Sequence, residues 1–237
     1  MSPQISGDAQ ATTGAILVAA GSGVRMGADA PKALIPLAGR PMLVWSLAAL
    51  GELDAVVVAA PPGHAGEVEA VVTAALPGAR VVAGGASRAE SVAAGLAALP
   101  AAEIVIVHDA ARPLLTRAIV AAVVGALDGA DGAIAARPVA DTLKRGDGGP
   151  HPVIEATVDR APLWAAETPQ VFWAAALRDA VARARDDDRL AGATDCASLV
   201  EAAGGRVRLV PIRGPNLKVT TPADLALAEH LLRGGVL

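Results

Sequence analysis

The stretch AILVAAGSGVRMG, residues 15–27, places a short apolar run directly before a glycine-rich segment that contains Arg25. An uninterrupted apolar run of this length predicts a buried β-strand, which we expect over 15–20. The glycines that follow predict a loop whose backbone N–H groups can bind phosphate. Lys32 comes shortly afterwards. A guanidinium and an ammonium beside such a loop suit a triphosphate and the charge that develops in phosphoryl transfer.

The spacing of these glycines differs from two common nucleotide-binding motifs. The dinucleotide fingerprint requires G-x-G-x-x-G and an acidic residue after the second strand. Here the third glycine falls one residue late, at Gly27, and the second strand ends at Ala59 and Ala60. A P-loop requires Gly-Lys followed by Ser or Thr, which this stretch lacks. An ordinary strand-to-helix turn with two solvated cations remains the alternative to a triphosphate loop.

The rest of the chain alternates Val/Ile/Ala runs with longer segments of helical character. Apolar strands separated by helices predict an α/β fold, a mostly parallel twisted sheet with helices on both faces. Ligands of such Rossmann-like folds bind at the carboxyl ends of strands. Strands are expected at 15–20, 55–59, 80–83, 104–108, 131–136 and 207–211, and helices at 41–50, 65–76, 87–99, 116–127, 173–185, 194–203 and from 222 onward.

Alternating polarity in 139–145 and 153–160, on either side of a Gly/Pro-rich turn, interrupts this pattern. It predicts an antiparallel β-hairpin arm at about 138–161, inserted into a single domain that spans 14–234. A lone hairpin is marginal in water, so it is either a loose surface excursion or an arm that packs on another subunit. Residues 1–13 are expected to form a flexible tail.

Composition argues against several classes of protein. The net charge is −4 and aromatic residues make up 2%, which disfavours a basic or base-stacking surface for nucleic acid. A single cysteine, Cys196, excludes an internal disulfide and a cysteine-cluster zinc site and fits a reducing compartment. No apolar run reaches the roughly 18 to 20 residues that span a bilayer. We therefore expect a cytoplasmic protein with no nucleic-acid or membrane partner.

Further motifs follow the glycine-rich loop along the chain. In this order they resemble the 2-C-methyl-D-erythritol 4-phosphate cytidylyltransferase family, nucleotidyltransferases with a GT-A-like Rossmann fold. The resemblance runs from about Gly14 to Leu232, and it implies transfer of CMP from CTP to methylerythritol phosphate in non-mevalonate isoprenoid biosynthesis. The motifs are GGASRAESV at 84–92, HDAARP at 108–113, VDR at 158–160, TPQ at 168–170 and NLKVT at 216–220.

The same resemblance implies roles in binding CTP and in the reaction. Arg25, Lys32 and Lys218 are the implied catalytic cations, which stabilise the phosphates. Asp109 is the implied ligand of Mg²⁺, for which Mn²⁺ or Co²⁺ could substitute. The residues implied to bind CTP are Ala19, Ala20, Gly21, Ser22, Gly23, Gly84, Gly85 and Ser91.

For the second substrate, the resemblance implies a homodimer. The hairpin arm crosses to the partner subunit, where Thr142 and Arg160 bind the polyol phosphate. Thr168 is a further candidate for contact with this substrate. Two positions depart from the family pattern: Glu167, where Gln is common, and Cys196, where an acidic residue is commoner.

Taken without the resemblance, several of these residues allow plainer interpretations. Asp109 can cap the next helix, Ser91 can be a solvated helix serine, and Lys218 a solvated lysine at a strand edge. His108 is expected to be packed rather than catalytic. Arg112 either positions phosphate or braces the loop after the strand.

Three other functions share part of the pattern. A ribitol 5-phosphate cytidylyltransferase has the same loop and the same cytidine chemistry. A GT-A glycosyltransferase usually holds its metal through Asp-x-Asp, which occurs here only in the acidic run 186–188. A nucleotide-binding regulator without turnover would keep the glycine-rich loop but needs no charged acceptor site.

Overall fold

The computed structural model describes residues 11–21 and 31–235. The predicted site residues Ser22, Gly23 and Arg25 lie outside the described residues, as does most of the predicted N-terminal tail.

The described chain alternates strands and helices as the apolar runs predict. The strands are β1 Thr13–Val18, β2 Pro36–Leu37, β3 Arg40–Pro41, β4 Ala55–Ala60, β5 Arg80–Ala83, β6 Ile104–Asp109, β7 Gly132–Pro138, β8 Leu143–Gly146, β9 Ile154–Val158, β10 Trp164–Trp173 and β11 Val207–Pro211. The helices are α1 Met42–Leu50, α2 Ala65–Ala75, α3 Arg88–Ala97, α4 Arg117–Gly125, α5 Ala174–Asp186, α6 Cys196–Ala202 and α7 Pro222–Arg233, with 3₁₀ turns at Lys32–Leu34 and Leu190–Gly192.

Within the described residues, a 7-stranded sheet has the order β11-β7-β10-β6-β1-β4-β5. Strand β1 lies between β4 and β6 and runs parallel to both. The pairs β4–β5 and β7–β11 are also parallel. The predicted α/β fold with a mostly parallel sheet is therefore confirmed, and it brings the ends of β1 and β6 side by side.

Strand β10 of the central sheet is not predicted by the sequence pattern, and neither are the two-residue strands β2 and β3. Strand β10 runs antiparallel to β6 and β7, and its pairing with β7 shifts register between Ala166 and Gln170. The shift spans Thr168 and Pro169, and a proline has no N–H to donate to a neighbouring strand. The Thr-Pro-Gln run interrupts the apolar pattern that would otherwise predict this strand, whose last residues Val171, Phe172 and Trp173 are apolar and buried.

The core forms on both faces of the sheet because consecutive side chains of β1 point to opposite sides. Leu17 packs in the cluster that contains helices α1 and α2, and Ile16 in the cluster that contains α3. A Cβ built on Gly95 of α3 would lie 2.6 Å from Cγ2 of Ile16. Glycine at this position therefore lets α3 approach β1 closely, which places the N-terminus of α3 near the end of β1.

Side-chain caps fix the beginnings of helices α3 and α7. Ser87 and Glu90 form the predicted capping box of α3, so that this helix begins at a defined residue after β5. Thr221 and Asp224 form a second capping box at the start of α7. None of the helices in the described part of the chain is long and apolar enough to cross a bilayer.

The predicted hairpin is present as strands β8 and β9, which pair antiparallel and are shorter than the sequence pattern suggested. Val153 and Ile154 beside its turn are 67% and 63% exposed. An apolar pair this exposed on a two-stranded element is unusual for a chain on its own. The contact of this arm with a second subunit stays a prediction.

Candidate active site

A cavity of about 450 Å³ opens where β1, β5 and β6 end. This is the edge at which ligands bind in parallel α/β sheets. Most of the predicted site residues that the structure describes meet here. The cavity is lined by Val18, Ala19, Ala20, Gly21, Lys32, Ala33, Gly85, Ala86, Ser87, Arg88, Asp109, Ala110, Ala111 and Lys218.

Asp109, the last residue of β6, lies between two cations. Its Oδ1 accepts a hydrogen bond from Nε of Arg88 at 3.0 Å, and its Oδ2 accepts one from Nζ of Lys218 at 2.7 Å. Burial alone would raise the pKa of Asp109, but the positive charges and hydrogen bonds of Arg88 and Lys218 outweigh it and hold this pKa well below its ordinary value. Asp109 is therefore an ionised carboxylate in the wall of the cavity.

Arg88 is the residue that the sequence analysis did not single out. It is the first residue of α3, directly after the capping Ser87, and it lines the cavity. Its side chain is 22% exposed, against 44% for the side chain of Lys218. Its position could have predicted this, because Arg88 follows the glycines at the end of β5, and residues at strand ends line the ligand site in this type of fold, as Asp109 does.

Thr168 and His108 lie directly behind Asp109. Burial lowers the pKa of His108 to about 4, so its ring is neutral. Its Nε2 lies 3.0 Å from the carbonyl oxygen of Arg112, which can only accept, so Nε2 carries the proton. Nδ1 therefore accepts from the hydroxyl of Thr168, at 3.1 Å, and Thr168 Oγ1 accepts from the backbone N–H of Asp109, also at 3.1 Å.

These bonds make His108 a packed residue, as expected, and they tie Thr168 to the backbone of Asp109. Thr168 is 3% exposed, and both hydrogen bonds of its hydroxyl are made inside the protein. The direct contact of Thr168 with substrate stays a prediction. In the structure, the hydroxyl of Thr168 orients the end of β6 through its bond with the backbone N–H of Asp109.

The turn after β5 is shaped by glycines that have no room for a side chain. A Cβ on Gly84 would lie 2.8 Å from Oγ of Ser91 and 2.9 Å from the carbonyl oxygen of Ala60. A Cβ on Gly85 would lie 2.3 Å from Cβ of Glu90. Ser91 is buried, and its Oγ accepts from the backbone N–H of Gly85 at 3.1 Å. Ser91 is thus a brace for the turn and not a solvated helix serine.

If CTP binds at this turn, as the resemblance implies, Ser91→Ala should raise the KM for CTP about fivefold to tenfold, because the N–H of Gly85 loses its partner, which costs about 1 to 1.5 kcal/mol. The maximal rate should change little, since Ser91 does not reach the charged side chains of the cavity wall. Steady-state pyrophosphate release at varied CTP measures this. Ser198→Ala, which removes a hydroxyl that donates to the carbonyl of Asp195, is the matched control. An unchanged KM would contradict the role of Ser91.

Thr142 and Arg160 are not among the described residues that line this cavity. Both lie at the base of the hairpin and are exposed. The guanidinium of Arg160 donates to the carbonyl of Ala140, which joins the two ends of the hairpin arm. Thr142 and Arg160 therefore both lie at the base of the arm.

Cys196 is fully buried at the start of α6. Burial raises the pKa of its thiol to about 11, even though Nη1 of Arg88 lies 3.5 Å from Sγ. The fold thus supplies a basic neighbour that is distant in sequence, but the thiol stays protonated. This confirms Cys196 as a packed residue and not a nucleophile.

Among the described residues that line the cavity, Asp109 is the carboxylate that a metal ion could bind. Among the described residues, no three or more His, Cys, Asp or Glu side chains cluster as a metal site. Mg²⁺ does not need such a cluster, because it usually takes one or two carboxylates and completes its shell with water and substrate phosphates. An ionised Asp109 beside a cavity of triphosphate size fits that pattern.

Nearly the whole chain is similar to proteins of one enzyme family. The family model for IspD, 2-C-methyl-D-erythritol 4-phosphate cytidylyltransferase, matches residues 13–234. The enzyme of that name from Ralstonia nicotianae is 46% identical over 235 residues, covering 93% of this chain and 91% of the relative. That from Prochlorococcus marinus is 43% identical, covering 92% and 96%. The crystal structure of the Thermus thermophilus enzyme has a TM-score of 0.75 at 38% identity and covers 92% of this chain and 98% of that one.

Proposed function

Because the chain belongs to the 2-C-methyl-D-erythritol 4-phosphate cytidylyltransferase family, we propose that it transfers CMP from CTP to methylerythritol phosphate. The products are 4-diphosphocytidyl-2-C-methyl-D-erythritol and pyrophosphate. The observation that carries this proposal is the cavity at the ends of β1 and β6, where Arg88 and Lys218 contact the Asp109 carboxylate and Lys32 lines the wall.

The chemistry needs alignment and charge stabilisation more than proton transfer. A phosphate oxygen of the acceptor attacks the α-phosphorus of CTP, the bond from that phosphorus to the β-phosphate oxygen breaks, and pyrophosphate leaves with the electron pair. A phosphate monoester is largely ionised near pH 7, so no general base is required. Lys32 and Lys218 supply positive charge where charge builds on the transferring phosphoryl group.

Asp109 would hold Mg²⁺ in this site, with substrate phosphates completing its ligands. When bound, Mg²⁺ neutralises charge on the triphosphate. Arg88 keeps the Asp109 carboxylate oriented from the protein side, since it is the less exposed of the two cations that contact it. The lowered pKa of Asp109 keeps the carboxylate available as a ligand across the physiological pH range.

An isotope experiment tests the direction of attack. Methylerythritol phosphate labelled with ¹⁸O on its phosphate oxygens should give a product that retains all of the label, and pyrophosphate that carries none. ³¹P NMR resolves the two products. Label in pyrophosphate would mean that the acceptor phosphate does not attack the α-phosphorus, and would contradict the proposal.

For the acceptor we propose a site shared between two subunits. Thr142 and Arg160 lie outside the cavity of their own chain, and the arm that carries them exposes Val153 and Ile154. A symmetric dimer would cover such an apolar tip and bring both polar side chains to the partner's cavity. A hydroxyl and a guanidinium suit a phosphate monoester.

The buried, reduced thiol of Cys196 is in keeping with a cytoplasmic enzyme.

Complementation between two inactive variants tests the shared site. Lys32→Ala disables the CTP side and Arg160→Ala the acceptor side, so either homodimer should be almost inactive. After subunit exchange, about half of the dimers are mixed, and each has one intact site of two, so about a quarter of wild-type activity should return. Pyrophosphate release after co-refolding measures it. A mixture no more active than its separate components would contradict the shared site.

A further inference from the structure

Behind the cavity, a buried carboxylate joins β10 to the segment that carries Lys218. The side chain of Glu167 is 10% exposed. Its Oε1 accepts from Nε of Arg137 at 2.8 Å, and its Oε2 accepts from Nδ2 of Asn216 at 2.8 Å. Nη1 of Arg112 lies 3.5 Å from Oε2. One carboxylate therefore gathers two guanidinium groups and an amide.

Each of the three side chains that contact Glu167 also donates a hydrogen bond to a backbone carbonyl group. The guanidinium of Arg137 donates to the carbonyl of Gly214. Nη1 of Arg112 donates to the carbonyl of Asn216 at 2.7 Å, and Nδ2 of Asn216 also donates to the carbonyl of Thr168 at 2.8 Å. The groups around Glu167 thus fix residues 214–216 from both sides.

Lys218 lies two residues after Asn216, the end of this fixed segment. On its other side, the backbone N–H of Val219 donates to the carbonyl of Ala111 at 2.8 Å. The side chain of Lys218 is 44% exposed and long, so the position of its ammonium depends on where the backbone of residues 216–219 is held. Gly214, with φ at 81°, turns the chain into this segment.

We infer that Glu167 is a positioning residue for the phosphate-binding ammonium of Lys218. Its charge is the common acceptor of Arg112, Arg137 and Asn216, and removing it leaves two guanidinium groups without their shared buried carboxylate. Glutamine, which the family often carries here, has the same size, but an NH₂ group replaces one of the two carboxylate oxygens, so in this chain either Arg137 or Asn216 would face a donor instead of an acceptor. This inference rests on the proposed function, because Lys218 is taken to contact the phosphates of CTP.

The test is a double-mutant cycle on the Kd for CTP in the presence of Mg²⁺, measured by equilibrium dialysis on the full chain. We expect Glu167→Gln to weaken CTP binding about fivefold and Lys218→Ala about tenfold. The double variant should bind no more weakly than Lys218→Ala alone, because Glu167 acts through Lys218. Glu229→Gln, which removes a carboxylate paired with Arg233 on the surface, is the matched control and should bind CTP as the wild type does.

Each result has a distinct meaning. Additive losses in the double variant, or wild-type affinity in Glu167→Gln, overturn the inference. Failure of the wild type to bind CTP overturns the proposed function instead. If Glu167→Gln does not fold, Arg137→Met replaces it, since Arg137 is 36% exposed at its side chain and can be removed with less disturbance. Arg137→Met should also weaken CTP binding, and combining it with Lys218→Ala should weaken binding no further than Lys218→Ala alone. Additive losses in that double variant would overturn the inference as well.

Discussion

Lys32→Ala should lower the rate of pyrophosphate release about a hundredfold to a thousandfold while the protein still folds. Removing one preorganised charge or donor from a phosphoryl- or acyl-transfer site costs about 10² to 10³ in kcat, and Lys32 is a full charge in the wall of the cavity. The loss should fall mainly on kcat, because the charge matters most when the bond to pyrophosphate breaks.

The fold should survive this change because backbone hydrogen bonds hold the Lys32–Leu34 turn. The carbonyl of Lys32 accepts from the N–H of Ile35 at 3.2 Å, and Ala33 is buried and anchors the turn. Circular dichroism and the thermal midpoint should match those of the wild type within a few degrees. Lys144→Ala, an exposed lysine of the hairpin that donates to Thr157, is the control. An active Lys32→Ala enzyme would remove the basis of the charge-stabilisation mechanism.

Asp109→Asn should abolish most activity and also destabilise the protein. Asparagine keeps the shape but leaves Arg88 and Lys218 without the carboxylate that both contact, and it is a poorer ligand for Mg²⁺. We expect turnover to fall about a hundredfold or more, and more Mg²⁺ to be needed for half-maximal rate. The free energy of unfolding should fall by about 2 to 3 kcal/mol, less than for a fully buried pair because Lys218 is 44% exposed.

The destabilisation should also depend on pH. The folded-state pKa of Asp109 is lowered, so its contribution to stability is complete above the ordinary carboxyl pKa and is lost as the pH falls below about 4. The unfolding free energies of wild type and Asp109→Asn should therefore differ at pH 7 and converge in acid. Urea denaturation at several pH values measures this, with Asp179→Asn, from an exposed pair with Arg183, as control. A constant difference between pH 7 and pH 3 would contradict the assignment.

The parallel strands could be predicted from sequence because each contains a short apolar run, and most residues of β1, β4, β6 and β7 are buried. The hairpin could be predicted from alternating polarity, and the start of α3 from the Ser87–Glu90 capping pattern. These signals are local, since they depend on residues a few positions apart. Strand β10 could not be predicted in this way, because Thr168, Pro169 and Gln170 interrupt its apolar pattern and only pairing with β6 and β7 makes it a strand.

In the site too, residues at strand ends could be predicted from the local sequence, whereas contacts between residues far apart in the chain could not. The glycines after β5 and the carboxylate after β6 follow from their places at strand ends. The pairing of Arg88 with Asp109 and the gathering of Arg112 and Asn216 around Glu167 join parts of the chain that no spacing rule connects. For Arg112 the sequence left two interpretations open, and its bond to the carbonyl of Asn216 favours the brace.

Pyrophosphate release from CTP and Mg²⁺, measured in parallel with methylerythritol phosphate and with ribitol 5-phosphate, tests the central claim most directly. Both acceptors are polyol phosphates, so the comparison isolates the acceptor while the cytidylyl chemistry stays the same. The account predicts rapid release with methylerythritol phosphate and little with ribitol 5-phosphate. Release only with ribitol 5-phosphate, or none with either while CTP still binds, would contradict it.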